Sequence, residues 1–257
     1  MIKLNDRYDL KNIDMHCLHL STFISHLYPQ QTDIPDWLII SSGIKNVEFD
    51  VARLDMSFHV CKRAHEWISS FEDTIQKYVT ELTRFTYIWG ALESLVKLSG
   101  KRKRLVLQAN EVLKNSLPTQ GIIAPYNNLL NDLNEHIKFS QIHQGQLYKL
   151  FNPKYITNSC LGLHIINKIR NSFFHGDLFI PYPDEENNPQ TLYKCLINIC
   201  NRINLLTMQM ILLSYFNNSI KSKFFTPYWD REVHIKSSLQ SILHNIHFNN
   251  PIYLKVR

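Results

Sequence analysis

Arginine, asparagine and histidine gathered at the end of an apolar helix form a set able to act on a phosphodiester. In this chain the run is Arg170-Asn171-Ser172-Phe173-Phe174-His175-Gly176-Asp177. Histidine exchanges protons near neutrality, with a free pKa of about 6.5, so it can relieve an attacking hydroxyl of its proton or protonate a leaving oxygen. Arginine stays cationic and grips phosphate oxygens with two parallel N–H donors. Placed where negative charge develops, it stabilises the transition state. Asn171 adds a neutral donor and acceptor able to orient a phosphate oxygen or the histidine. A helix C-terminus favours positive charge nearby.

Asn171 and His175 are four residues apart and share a helix face. Arg170 lies about 140° around the axis from His175, at ~100° per residue. The two therefore flank a groove instead of stacking. A second arginine–histidine spacing, Arg53 to His59, exists in the chain, so spacing alone does not select the site. Context separates the two: Arg53 is followed by Leu54, whereas Arg170 is followed by polar Asn171. The competing structural explanation of Arg170 and His175 is an arginine capping carbonyls and a histidine satisfied at a helix end.

The elements that must position this run are helical. From Phe58 through Ile68, Phe71, Ile75, Tyr78, Leu82, Phe85, Trp89, Leu92 and Val96, apolar residues recur mostly at three- and four-residue steps. That periodicity predicts one long helix, or two with a kink near Gly90, ending at Gly100. Further helices are expected over Arg102–Leu117, Pro125–Phe139, Asn158–His175 and Thr191–Phe216, with Gly176 as a left-handed stop after His175. The 181–189 stretch reads as a proline-punctuated loop. Residues 1–52 are less regular: Asp14–Leu27 reads as a short helix, Pro29 and Pro35 as breaks, and Asn46–Val51 as a weak strand. Ser237–Ile246 is a last helix, before a short Pro251–Val256 extension. The fold class is all-α: residues 1–54 an N-terminal extension or cap, 55–220 a helical bundle, 221–257 a C-terminal extension.

Within this frame the 170–177 run resembles the Arg-x4-6-His motif of HEPN-domain ribonucleases, whose active members favour a polar residue after the arginine. Phe85-Thr-Tyr-Ile-Trp-Gly-Ala-Leu-Glu93-Ser-Leu-Val resembles the aromatic, acidic early helix of the same family. The resemblance covers about 55–220 and implies a metal-independent endoribonuclease in which the RNA 2′-OH attacks the adjacent phosphate. The products would carry 2′,3′-cyclic phosphate and 5′-hydroxyl ends. It implies Arg170, Asn171 and His175 as catalytic residues, and a homodimer whose two motif helices form a composite cleft. Glu93, if buried, needs a partner, and Arg170 is the natural one. Family members commonly act as toxins or antiviral-defence effectors, which allows for an antitoxin or regulatory partner. A branch that extends the motif to His-x-Tyr is not matched, because position 177 is Asp.

Composition is compatible with this reading. The chain has 257 residues, 44% apolar, and a formal charge of +6, a balance that suits phosphate-bearing partners such as RNA. Its densest basic patch is Lys101-Arg102-Lys103-Arg104, a solvated helix start or an RNA contact. Neither Gly-rich nucleotide-binding motif occurs, nor G-x-S-x-G, nor H-E-x-x-H. The five cysteines, Cys17, Cys61, Cys160, Cys195 and Cys200, include no C-x-x-C pair. With no signal pattern at the start, the expectation is a cytoplasmic protein with reduced thiols. The apolar run in Ile203–Phe216 is too short to span a bilayer and reads as a core helix. No cofactor is expected. His59, Cys61 and His65 do not share a face, His16-Cys17-x-His19 is a weak metal pattern, and His234, His244 and His247 are expected to face solvent. Tyr126, Tyr148 and Tyr155 suit either base stacking or bundle packing. The alternatives to a nuclease are a non-catalytic helical RNA-binding or dimerisation module, and a scaffold subunit that uses Thr191–Phe216 as an oligomer interface.

Overall fold

The computed structural model describes residues 7–48, 50, 62–99, 104–116, 121–139, 153–176, 189–215, 224–226 and 237–252. Among them the chain is all-α: α1 (Ile13–Leu27), α2 (Asp33–Gly43), α3 (Lys62–Lys97), α4 (Leu105–Ser116), α5 (Tyr126–Phe139), α6 (Asn158–Phe174), α7 (Pro189–Tyr215) and α8 (Leu239–Asn245). A two-residue antiparallel ladder, β1 (Phe224–Phe225) with β2 (Ser237–Ser238), precedes α8.

Helix α7 is the axis of the bundle and packs against α1, α3, α4, α5, α6 and α8. Its sequence explains this position. Leu196, Ile197, Ile203, Leu205, Met208, Leu212 and Leu213 are spread around its whole circumference and are all buried. A helix apolar all round belongs at the centre of a core. Leu196–Ser214 is apolar and long enough to pass for a membrane span by composition, and 94% of it is buried inside the protein. Arg202 and Asn201 among its polar side chains find partners, as burial requires, whereas the buried side chains of Asn204 and Ser214 make no hydrogen bond among the described residues. Arg202 Nη1 donates to the Lys11 carbonyl at 3.0 Å, and its Nε donates to Asn198 Oδ1 at 3.0 Å. Asn201 Nδ2 donates to Glu81 Oε2 at 3.4 Å, and Glu81 also pairs with Arg84 at 2.6 Å. Burial lowers the Arg202 pKa to about 10, with Glu81 opposing the shift.

Helix α3 is continuous through Gly90. A side chain at that position would meet the Trp37 ring of α2 at 3.3 Å, so the glycine lets the two helices approach. Gly162 of α6 is tighter still. A Cβ there would lie 2.6 Å from Ile203 Cγ2 of α7 and 2.7 Å from the Tyr126 hydroxyl, which accepts the Gly162 N–H at 3.0 Å. Alanine's better helix propensity, about 1 kcal/mol, cannot offset a clash with two fully buried groups. Gly162→Ala is expected to destabilise the fold by about 1–2 kcal/mol, read as a lower urea midpoint at unchanged slope.

Several expectations are corrected. Pro35 does not break the chain but sits in the first turn of α2, where a missing N–H costs nothing. The described part of Asn46–Val51 is irregular, not a strand: Val47 N–H donates to Thr80 Oγ1 at 2.9 Å, and the Ile44 carbonyl accepts from Arg84 Nε at 3.1 Å. Helix α7 begins at Pro189, a proline suited to a first helical position. The terminal segments meet each other. Lys11 N–H donates to the His247 carbonyl at 2.9 Å, and Asn249 N–H to the Asp9 carbonyl at 2.8 Å. His247 is fully buried, and His244 is partly buried, instead of facing solvent.

Cys17, Cys160 and Cys200 are buried free thiols. Burial pushes Cys17 and Cys160 up to about 12, which makes them inert.

Candidate active site at the end of α6

The last turn of α6 is fastened to α3 by aromatic rings. Phe173 packs against Tyr78 and Phe85, each with ring centres 6.4 Å away, and Phe85 in turn lies 6.0 Å from Trp89. The two phenylalanines of the motif therefore divide the work. Phe173 anchors the helix, while Phe174 is 66% exposed.

Arg170 lies between rings. Its guanidinium carbon is 5.2 Å from the Trp89 ring centre and 4.6 Å from that of Phe174, both within cation–π range. Among the described residues Arg170 makes no hydrogen bond and no ion pair. The rings hold the cation in place while leaving its N–H donors unused.

Glu93 does not pair directly with Arg170 among the described residues. Its carboxylate accepts the Trp89 indole Nε1–H at 2.6 Å. The two charges are thus joined through Trp89. Donation of that N–H to a carboxylate enriches the indole π-system, which strengthens its attraction for the guanidinium stacked on it.

His175 ends the helix. Its backbone N–H donates to the Asn171 carbonyl at 3.0 Å, and its side chain is exposed. Gly176, at φ +73°, supplies the left-handed residue that turns the chain, with its N–H on the Phe173 carbonyl at 3.2 Å. Asn171 is half-buried on the same side as His175. The structure thus brings Arg170, Asn171 and His175 to one helix end, with Arg170 turned towards α3 and His175 towards solvent.

Other expected residues fall elsewhere. Lys101, Arg102 and Lys103 lie outside the described residues, as do Arg53, His59, Cys61 and Tyr148. Arg104 is exposed at the start of α4 and lines a cleft of about 550 Å³ between α4, α6 and the loop before α6. Tyr126 is core: its hydroxyl is held by Gly162 and its ring is fully buried. Tyr155 is 85% exposed at that cleft. The sequence reading missed the role of Trp89 as the platform for Arg170, and the cleft residues His164 and Lys168. The latter were findable, since they continue the Asn171–His175 stripe at helical spacing. Among the described residues no group of three or more His, Cys, Asp or Glu is placed to hold a metal ion.

No protein-family model, no curated protein and no solved structure matches this chain.

Proposed function

We propose that this protein is a metal-independent endoribonuclease acting as a homodimer, in which His175 transfers protons, Arg170 stabilises the phosphorane-like transition state and Asn171 orients the phosphate. The observation that carries the reading is the state of Arg170: a cation fixed by Trp89 and Phe174, without a carboxylate partner among the described residues, beside an exposed histidine. A structural arginine would spend its donors on carbonyls or carboxylates. One that binds phosphate needs its fork free and its plane held.

Arg170 and His175 point to different sides of α6, about 140° apart at ~100° per residue. One chain alone does not converge them on a single phosphate. Two copies meeting at their α6 ends would supply the arginine and the histidine across a shared cleft. The resemblance to HEPN ribonucleases adds the biological class, a toxin or antiviral-defence effector. By the same divergence within one chain, a non-catalytic RNA-binding or dimerisation module is the second reading.

The deciding experiment is incubation of the purified protein with structured and unstructured RNAs in EDTA, followed by end-group analysis. Cleavage leaving 2′,3′-cyclic phosphate and 5′-hydroxyl ends is expected. RNA bound intact over the same range of RNAs would leave the binding module in its place. Sedimentation at the same protein concentrations should give a dimer, and an active monomer would remove the composite cleft from the mechanism.

A further inference from the structure

A polar stripe runs along one side of α6. His164, Lys168, Asn171 and His175 succeed one another at steps of four, three and four residues. At ~100° per residue these steps keep all four within about 60° of arc. One end of the stripe carries Asn171 and His175 of the candidate site. The other enters the cleft of about 550 Å³, roughly 10 Å away along the axis at ~1.5 Å per residue.

The chemistry of that cleft is specific. Leu105, Leu107, Pro153 and Ile156 form an apolar wall, Arg104 and Lys168 supply positive charge, and among the described residues no acidic one lines it. Tyr155 stands at its edge with its ring 85% exposed and with no ring contact among the described residues. The loop bearing it is nevertheless held in place. Buried Asn110 donates from Nδ2 to the Tyr155 carbonyl at 3.2 Å, and its Oδ1 accepts from the Thr157 N–H at 2.8 Å and the Thr157 hydroxyl at 2.9 Å. An aromatic ring held out into solvent by a fixed backbone is a stacking platform, with little ordering cost left on binding. The volume is that of a small-molecule site, ample for a nucleotide.

We infer that this cleft seats nucleotides flanking the scissile phosphate of a single-stranded RNA, with a base against Tyr155 and the apolar wall and the backbone phosphates near Arg104 and Lys168. The inference rests on the RNA reading above for its ligand, though not on catalysis. A duplex does not fit the site, because its bases are already stacked on each other and cannot lie on Tyr155. His164, half-buried at the cleft, has its pKa lowered by burial and by Lys168, so near neutrality it offers a base a neutral donor and acceptor.

The test uses a fluorescein-labelled, mixed-sequence 2′-O-methyl single strand, which cannot be cleaved by its own 2′ position. Its binding to the full-length protein is followed by anisotropy. Tyr155→Ala is expected to weaken binding by about ten- to a hundredfold, and Tyr155→Phe to keep it. Arg104→Glu and Lys168→Glu should weaken binding and flatten its salt dependence. All these side chains are exposed, and thermal melts check that the variants remain folded. Unchanged affinity in Tyr155→Ala and Lys168→Glu overturns the cleft, and so does equal competition by duplex RNA or failure of the wild type to bind at all. Wild type that binds through Tyr155 but cuts nothing in EDTA supports the cleft and overturns the nuclease. Wild type that cuts RNA while the cleft variants bind normally does the reverse.

Discussion

Replacing His175 by alanine is expected to lower single-turnover RNA cleavage by about a hundred- to ten-thousandfold, the range that a positioned proton-transfer group contributes. The side chain is exposed and packs no core, so the thermal midpoint should not move. Arg170→Ala should cost about a hundred- to a thousandfold, as does removal of one donor at a developing oxyanion. Arg170→Lys should recover little of that loss. An ammonium keeps the charge but has neither the planar fork nor the flat face that lies between Trp89 and Phe174. Trp89→Leu separates positioning from chemistry. It leaves Arg170, Asn171 and His175 themselves unaltered but removes the ring that fixes Arg170 and takes the indole N–H from Glu93. The expected signature is a lowered cleavage rate with RNA affinity largely retained. Full activity in His175→Ala would remove the site, and full activity in Trp89→Leu would remove the role given to the stack.

The helices around this site were legible because each buries one face. The 3.6-residue period of Phe85, Ile88, Trp89, Leu92 and Val96, for example, is a direct image of the face that α3 buries in the core. Arg170, Asn171 and His175 were legible for a different reason: few residue types can exchange a proton or grip a phosphate, and three stand together. The link from Glu93 to Arg170 was not legible in detail, because it passes through the Trp89 ring, one turn before Glu93 on α3, to an arginine on a different helix. Position 89 reads equally well as core. The terminal segments were misread where their partners are remote in sequence. His247 is bonded to the Ala124 carbonyl and to Gln209, and no local pattern near residue 247 announces either. Pro35 was misread because a proline that opens a helix and one that ends it are told apart only by whether the residues beyond it continue a helical pattern.

Lowering the pH from 7 to 5 is expected to remove about 2 kcal/mol of folding stability through His247 alone, with His16 and His19 adding to the loss; none of the three has a part in the site. The His247 Nε2–H donates to the Ala124 carbonyl at 2.6 Å, which leaves Nδ1 with a lone pair facing Gln209 Nε2 at 3.2 Å. That amide donates one hydrogen to Nδ1 and the other to the Leu243 carbonyl. Gln209 Oε1 is then free to accept from His16 Nε2 at 2.7 Å. The set closes only with His247 neutral. A proton on Nδ1 would face an N–H donor inside the core, next to the cations of Lys11 and Arg202. Burial, and for His16 the neighbouring His247, holds both pKa values down, with His247 at about 3 and His16 well below its usual 6.5. Above about pH 6.5 neither the folded nor the unfolded chain takes these protons, and stability is flat in pH. Below it the unfolded chain binds protons that the folded chain excludes, so stability falls until the folded pKa values are reached. At pH 5 His247 accounts for about 2 kcal/mol, at ~1.4 kcal/mol per pH unit, and His16 and His19, the latter lowered to about 4 by burial, add losses of the same sign. That is a large share of the roughly 5–15 kcal/mol that holds a domain together. Urea unfolding at the two pH values measures the loss. His247→Gln keeps one donor and one acceptor near the same place but does not titrate, so its stability should fall by about 2 kcal/mol less than that of the wild type. An identical fall in wild type and in that variant would show that the acid sensitivity lies elsewhere.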